Sequence, residues 1–297
     1  MNKTTVGHVT GKTFRIILYV MLIIYCISLL IPLIWMIFTA FKGYIEYNKN
    51  LFLWPKKWVL ENFVEAFKKF NIVTEKGNKQ IMYSFFDMFT TSLIWSTGVA
   101  LIHVVLTTCV AYVLARYKFI GSEFIYLIGI FVMITPIIGN APSMMVIRKA
   151  LGIYNNLWLT MFTTHTCAFS GLHFLIMYGA FKGLPSSYSE AAEIDGAGYY
   201  SIMFKIMIPL MLPTCAVIFV LSFLTHWNEY GTFLVWLPAY PNLSFGIYLF
   251  QKDAAFYGAT ITEIMAGFCI AIIPSTTLYI ISQRLINENF TVGGLKG

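Results

Sequence analysis

Long apolar stretches recur along this chain, separated by shorter polar segments. A transmembrane α-helix needs about 20 consecutive, mostly apolar residues. Six stretches meet that requirement. The predicted spans run over about 14–38, 88–114, 124–147, 157–180, 206–227 and 263–281. The pattern therefore predicts an all-α, polytopic membrane protein with a single transmembrane domain over residues 1–297.

The first apolar stretch follows Lys12 and Arg15, so it could be a signal peptide or an anchor helix. It is longer than the apolar core of a signal peptide, and no A-x-A cleavage pattern follows it. We therefore expect a retained helix. The third, fifth and sixth stretches contain prolines, which free backbone carbonyls and favour a packed bundle of helices over a simple anchor.

Two connections between the predicted spans are long. The first, from Lys42 to Ser84, is charged. The second, from Gly231 to Thr262, is half apolar and is broken by two prolines. Part of this second connection is expected either to dip into the membrane or to pack on the outer surface of the bundle.

The composition agrees with a membrane protein. Hydrophobic residues make up 58% of the chain, charged residues 11%, and the mean hydropathy is +0.73. Soluble domains carry about 25% charged residues, so the composition excludes a disordered chain and an ordinary soluble enzyme. The net charge of +7 suits nucleic acid or an anionic membrane surface. The apolar stretches favour the membrane, and we expect no nucleic-acid partner.

Six spans place both termini on the same side of the membrane. With cytoplasmic termini, nine Lys and Arg residues lie inside and eleven outside, and eight of those eleven fall in the first long connection. Without that connection the count is nine against three. The positive-inside rule then favours cytoplasmic termini.

We find no motif for catalysis, nucleotide binding or metal binding. Gly7, Gly11, Lys12 and Thr13 approach a P-loop, but the spacing is one residue short and no strand precedes it. The esterase elbow, the zinc-protease motif and Cys/His zinc spacings are absent. The five cysteines lie in apolar runs without a C-x-x-C pair, as buried small side chains do. Carboxylates are nearly absent from the centres of the spans, which argues against a proton- or sodium-driven carrier.

Two histidines lie eight residues apart in the fourth span, roughly on one face. These residues, His165 and His173, suit buried hydrogen bonds between helices. A proton relay or a contact to a transported solute is the alternative.

A polar, helix-prone segment over residues 181–205 separates the fourth and fifth spans. Ser186 or Ser187 can cap a first short helix. Gly196 permits a sharp turn before a second helix over Tyr199–Lys205. Composition alone is equally compatible with an ordinary amphipathic loop.

The spacing within this segment is more specific than its composition. It reads E-A-A, three residues, G, nine residues and I-x-I-P, beginning at Glu190. This resembles the signature of inner-membrane permease subunits of binding-protein-dependent ABC importers. Four further segments resemble the same family: L-W-P-K-K-W-V-L-E-N-F from Leu53, L-G-I from Leu151, H-W-N-E-Y-G-T-F from His226, and Q-R from Gln283 with the tail T-V-G-G-L-K-G from Thr291.

These features resemble the carbohydrate-importer branch of the family and, within it, the second subunit of maltose permeases. The chain departs from that pattern at Asn289, where Gly is usual, and at Tyr230, where Phe is usual.

The resemblance implies a transport mechanism that needs other subunits. The segment 181–205 would be a coupling helix-turn-helix that docks on an ATPase subunit. The residues implied in coupling are Glu190, Ala191, Ala192, Asp195 and Gly196. The implied partners are a second homologous permease subunit, two ATPase subunits that bind ATP and magnesium, an extracellular solute-binding protein, the sugar and membrane lipid. This chain would hold no cofactor or metal, would not be an enzyme, and would lie in the cytoplasmic membrane of a bacterium or archaeon.

Candidate residues for the pathway or outer gate are His165, His173, Trp227, Asn228 and Glu229. The last three follow an apolar helix and precede Gly231, so we expect them at the outer water interface. Anchoring at the interface is one role. The alternative role is to form part of an outer gate or of the docking surface for the binding protein.

The implied function is translocation of a sugar or oligosaccharide. The same machine carrying a polyol or a glycerol phosphate is the first alternative, and a stand-alone secondary carrier or channel is the second. Aromatic residues at 17% suit sugar stacking, but they also suit membrane cores and interfaces.

Overall fold

The computed structural model describes residues 3–76, 79–135, 139, 141–164, 169 and 171–292. These residues are mostly helical, with one two-stranded antiparallel sheet among them. The helices are α1 Lys3–Ala40, α2 Tyr44–Lys49, α3 Glu61–Lys69, α4 Phe85–Arg116, α5 Ser122–Ile134, α6 Ala141–Ala150, α7 Leu157–Thr164, α8 Gly171–Gly183, α9 Ser187–Ile194, α10 Tyr199–Ile202, α11 Ile208–Leu210, α12 Leu212–Trp227, α13 Gly231–Val235, α14 Leu243–Lys252 and α15 Ile261–Val292. A π-helix, Met203–Met207, joins α10 to α11, and the strands are β1 Ile72–Lys76 and β2 Lys79–Tyr83.

Three described helical runs are long and apolar enough to cross a membrane: Phe14–Ala40, Phe85–Arg116 and Ile261–Arg284. A fourth is Tyr199–Leu210 with Leu212–Trp227, if this pair, bent by 69°, is counted as one span. Within the predicted third span the structure describes parts of α5 and α6, and within the fourth it describes α7 and part of α8. Residues 136–138, 140, 165–168 and 170 lie outside the described residues. The count of six spans stays a prediction.

The described residues form two compact units. The first is drawn from residues 1–70 and 250–270, and the second from 71–249 and 271–297. The single transmembrane domain expected from the sequence is not tested by this division.

In the first unit, the connection after α1 is ordered rather than a plain loop. It contains α2 and α3, and the buried Asn62 side chain donates hydrogen bonds to the carbonyls of Ala40 and Lys42 at 2.8 and 2.7 Å. Small side chains, Ala40, Ala66 and Ala266, form the core of this unit. Their size lets the helix backbones approach closely, as is typical of membrane helix pairs.

The second unit is built around α4. This helix begins with a capping box, in which Ser84 and Asp87 satisfy each other's backbone N–H groups. Helices α8 and α12 pack against it. The buried polar side chains of α4 are Ser92, Ser96, His103, Thr107 and Thr108. One apolar core of this unit includes Tyr112, Phe174, Phe181, Ile202 and Met207.

The first half of the Gly231–Thr262 connection belongs to a second core of the same unit. Phe233, Leu237 and Phe245 are buried together with Trp95 of α4. The backbone N–H of Leu243 donates to the Ser92 hydroxyl at 2.8 Å. This half therefore packs against α4.

Candidate functional site

The segment between α8 and α12 folds as two helices joined by a turn at Gly196. That residue has a φ of +79°, the left-handed conformation that glycine adopts without a steric penalty. The N–H groups of Gly196 and Ala197 donate to the carbonyls of Glu193 and Ala192 at 3.0 and 2.9 Å. This pair of bonds is a Schellman motif. The predicted sharp turn at Gly196 is confirmed.

The start of α9 differs in detail from the prediction. Ser186 occupies the N-cap position, but its side chain makes no capping hydrogen bond. Its carbonyl instead accepts the hydroxyl of Ser189 at 2.8 Å, as well as the N–H groups of Ser189 and Glu190. The helix begins where the sequence indicated, by backbone bonds rather than by a serine side chain.

The second helix of the segment is longer than predicted. It begins at Tyr199 but continues through the π-helix to Leu210, because Ile202, Met203 and Met207 are buried in the core of the second unit. At Met211 the chain bends by 69° into α12. Proline residues flank this bend at positions 209 and 213, and neither has an N–H to donate.

Arg116, the last residue of α4, holds the beginning of this segment. Its guanidinium donates to the carbonyls of Leu184 and Pro185 at 2.9 and 3.1 Å, and to the Ser189 hydroxyl at 3.4 Å. The planar guanidinium suits several acceptors at once. In the sequence, Arg116 is a cation just after the apolar stretch 88–114, and nothing local connects it to partners 68–73 residues away.

The coupling residues proposed from the sequence divide between surface and core. Glu190, Ala191, Asp195 and Gly196 are exposed, whereas Ala192 is buried in the core beneath them. Apolar side chains share this exposed surface. Ile194 is 86% exposed and Tyr200 is 81% exposed, with Tyr199 and Phe204 also exposed. A patch of exposed apolar side chains is typical of a protein–protein interface.

A second polar cluster lies where α4, α8 and α12 meet. The ring of His173 is 4.9 Å from that of His103, edge to face. His103 Nδ1 lies 3.2 Å from the Ser222 hydroxyl, which lies 3.4 Å from His226 Nδ1. Sequence reasoning selects His173 as a site candidate but neither of the other two histidines. The other candidate, His165, lies outside the described residues.

The end of α12 is tied to the segment that follows it. Trp227 is buried, stacks on Phe223, and its carbonyl accepts the Ser244 hydroxyl at 2.7 Å. Asn228 is exposed, and its amide donates to the carbonyl of Leu224 within the same helix.

Glu229 follows at the turn into α13. Its carboxylate accepts a hydrogen bond from the Thr232 hydroxyl, and its carbonyl accepts the Asn242 amide at 2.8 Å. The side chain is half-buried, so this carboxylate is held in position. Among the described residues, no group of three His, Cys, Asp or Glu side chains could hold a metal ion.

A family model described as "Binding-protein-dependent transport system inner membrane component" matches residues 107–292, which include the whole 181–205 segment. The chain is 28% identical to the inner membrane ABC transporter permease protein YcjP of Escherichia coli, over 95% of this chain and 97% of YcjP. It is 28% identical to the sulfoquinovosyl glycerol transport system permease protein SmoH of Agrobacterium fabrum, over 97% and 95%. It is 29% identical to the arabinooligosaccharides transport system permease protein AraQ of Halalkalibacterium halodurans, over 90% and 91%.

Among solved structures, the fold is similar to a chain of a bacterial ABC transporter involved in the import of the acidic polysaccharide alginate. The TM-score is 0.75 with 21% identity, over 93% of this chain and 97% of that chain. A bacterial alginate ABC transporter in complex with an alginate pentasaccharide-bound periplasmic protein gives a TM-score of 0.60 with 16% identity, over 93% of this chain and 97% of that chain.

Proposed function

This chain belongs to the family of inner membrane components of binding-protein-dependent transport systems, and we propose that it is one of two permease subunits of an ABC importer for a sugar or oligosaccharide. The proteins that it resembles are permease subunits, so the chain is a transport subunit and not an enzyme. Relatives named for arabinooligosaccharides and for starch degradation products support a carbohydrate as the solute.

The exposed segment 181–205 is the observation that carries this proposal. It presents apolar and acidic side chains to solvent, while Ala192 and the Arg116 hydrogen bonds fix it to the core of the second unit. An ATPase subunit that closes on ATP and magnesium would press on this surface. In this arrangement Glu190, Ala191, Asp195 and Gly196 contact the ATPase, and Ala192 supports them from beneath.

The rest of the importer follows from the same proposal. Six spans place both termini in the cytoplasm, next to the ATPase subunits. A second, homologous permease completes the pathway, and a solute-binding protein delivers the sugar from outside. One of the structurally similar transporters was solved in complex with a periplasmic protein that holds an alginate pentasaccharide, which supports the last of these partners.

The test is a pair of glycine substitutions on the exposed surface. Gly196 and Gly198 both have open space around the position of a Cβ atom, but only Gly196 has a positive φ. Gly196→Arg should abolish both co-purification of the ATPase and sugar uptake, because it strains the turn and adds bulk to the docking surface. Gly198→Ala should leave both intact. Normal co-purification and uptake with Gly196→Arg would overturn the coupling assignment.

Glu229 is proposed as part of the outer gate or of the surface that receives the binding protein. Glu229→Ala should lower uptake and change the ATPase stimulation by loaded binding protein, while assembly stays normal. Glu229→Gln is the matched variant, because it keeps an oxygen that can accept the Thr232 hydroxyl. Unchanged uptake and stimulation with Glu229→Ala would leave the residue a structural role only.

A carrier that works alone gives a different result. The purified chain, reconstituted without ATPase subunits, should show no uphill sugar flux. Uphill flux by the chain alone would replace the importer with a secondary carrier.

A further inference from the structure

The chain turns back along α1 after that helix ends. The Trp35 indole N–H donates to the Leu51 carbonyl at 3.0 Å, and the rings of Phe38 and Trp54 are 4.2 Å apart. Trp35 lies five residues before Ala40, about 7 Å below the end of the helix at 1.5 Å per residue. Residues 51–58, which we call the return loop, therefore begin beside the last turns of α1 and not above them.

The length of α1 sets the depth of this loop. Its apolar part, Phe14–Ala40, has 27 residues, which span about 40 Å. The hydrocarbon core of a bilayer is about 30 Å thick, so each end of the helix projects about 5 Å beyond the core when it is centred. The level of Trp35 is then close to the boundary between acyl chains and headgroups. Tryptophan is enriched at that depth.

The return loop exposes large apolar side chains at this level. Phe52 is 83% exposed and Trp54 is 61% exposed, and Leu53 and Trp58 are exposed with them. They are continuous with the apolar surface of α1, whose apolar window is entirely unburied in this chain. In water this surface would be costly, whereas at a membrane interface it is stabilising.

Two exposed lysines, Lys56 and Lys57, lie between Trp54 and Trp58. Aromatic side chains interspersed with lysine are typical of a segment that lies in the plane of a membrane surface, with cations at lipid phosphates and rings among the upper acyl chains. Charge complementarity therefore favours lipid as the occupant over a second apolar protein surface.

Several backbone groups in or next to the return loop have hydrogen-bond partners within the protein. The Lys42 ammonium donates to the carbonyls of Asn50 and Leu51 at 3.0 and 3.1 Å. The Lys56 N–H donates to the Glu46 carboxylate at 2.6 Å. Pro55 has no N–H to satisfy. Polar backbone groups at membrane depth need such partners.

We infer that the return loop is a lipid anchor that lies in the headgroup region of the leaflet in which α1 ends. Phe52, Leu53, Trp54 and Trp58 rest among the upper acyl chains, and Lys56 and Lys57 contact lipid phosphates. This role goes beyond the proposed transport function and does not depend on it.

Spin labels can measure the depth directly in the assembled importer. The label is placed at Phe52→Cys, a site whose exposure makes the substitution mild, in a background without the five native cysteines. Nanodiscs contain phosphatidylcholine with phosphatidylglycerol. Collisions with oxygen, which concentrates in lipid, are compared with collisions with a water-soluble nickel complex. Leu30→Cys on the exposed face of α1 is the lipid control, and Glu61→Cys on α3 is the water control.

The label at position 52 should collide with oxygen more than with nickel, giving a depth between the two controls and nearer to Leu30. Nickel accessibility equal to that of position 61 would overturn the inference, since the loop would then lie in water. Low accessibility to both reagents would overturn it in favour of a protein partner, the second permease subunit.

The lysine contribution has its own test. In nanodiscs of phosphatidylcholine alone, the label should become more accessible to nickel than in nanodiscs with phosphatidylglycerol. Lys56→Gln with Lys57→Gln should remove that difference, whereas Lys49→Gln, an exposed lysine outside the loop, should keep it. Equal accessibility in both lipids for the unsubstituted loop would overturn the role of the lysines.

Discussion

Lys69 and Glu263 form an ion pair within the first unit, and its removal should destabilise that unit measurably. The Lys69 ammonium lies 2.8 and 2.9 Å from the two carboxylate oxygens of Glu263. It also donates to the carbonyl of Gly258 at 3.0 Å. The same carboxylate accepts the Thr260 N–H at 2.8 Å, which caps the start of α15. The Glu263 carboxylate thus caps the start of α15 and also binds the lysine from α3.

The burial of the pair sets the size of the effect. The Glu263 side chain is 10% exposed and the Lys69 side chain is 29% exposed. Lys69→Met keeps most of the aliphatic chain but leaves the carboxylate with Thr260 as its remaining partner among the described residues. Because a hydrogen bond to a charged group contributes about 1.5–3 kcal/mol and solvent screens the lysine in part, we expect a loss of about 1–2 kcal/mol.

The assay is thermal unfolding of the purified importer, followed by the fraction of the permease that stays monodisperse after heating. The expected fall in the melting midpoint is about 2–8 °C, at about 2–4 °C per kcal/mol. Lys68→Met is the matched control, since its partner Glu65 is one turn away and both side chains are well exposed, at 65% and 39%. That control should shift the midpoint less than Lys69→Met does, because an exposed ion pair contributes little.

A double-mutant cycle separates the pair from general effects of either substitution. Glu263→Gln alone should lower the midpoint, and adding Lys69→Met to it should lower it little further, because the interaction is already lost. Strictly additive shifts, or equal shifts for Lys69→Met and Lys68→Met, would refute the reasoning.

Two further predictions concern the second unit. Asn155 has a φ of +56°, and its side chain accepts the Ala239 N–H at 3.0 Å. Asn155→Ala should lower the free energy of unfolding by about 2 kcal/mol through backbone strain and the lost hydrogen bond, and Asn155→Gly should lower it by about half as much. Melting midpoints measure both effects, and equal midpoints for the two variants would contradict the strain. Arg116→Lys should keep the charge but lose the simultaneous hydrogen bonds, so sugar uptake should fall. Lys118→Ala, a substitution of an exposed neighbour, should leave uptake normal. Normal uptake with Arg116→Lys would show that one hydrogen bond suffices.

The long apolar helices could be predicted from sequence because their signal is local. The predicted ranges 14–38, 88–114 and 263–281 differ by at most three residues from the apolar runs Phe14–Ala40, Phe85–Arg116 and Ile261–Arg284. The second of these helices begins three residues earlier than predicted, because the side chains of Ser84 and Asp87 form a capping box at its start. The apolar pattern alone does not record it.

The candidate site could be predicted from the sequence only where its structure depends on neighbouring residues. The turn at Gly196 depends on neighbouring residues, so one glycine in the correct place indicates it. The burial of Ala192 and the bonds of Arg116 depend on elements far away in the chain. The three clustered histidines belong to α4, α8 and α12, and periodicity gives the face of a helix but not its neighbour. Sequence reasoning therefore selects His173 without its partners.

The bend at Met211 connects segment 181–205 to α12, the helix that carries His226 and Trp227. The second helix of the segment runs from Tyr199 through the π-helix to Leu210, and α12 begins at Leu212. At the bend, the Met211 N–H is bonded to the carbonyls of Met207 and Ile208 at 3.2 and 2.9 Å, while the prolines on either side donate nothing. A change of angle here breaks few backbone hydrogen bonds, whereas a change within α12 breaks many. In the proposed importer, movement of segment 181–205 by an ATPase is therefore expected to change the angle at Met211 and to turn α12 as a unit. The hydrogen bonds from Trp227 and Glu229 to residues 242–244 would carry that rotation into the residues that follow α12.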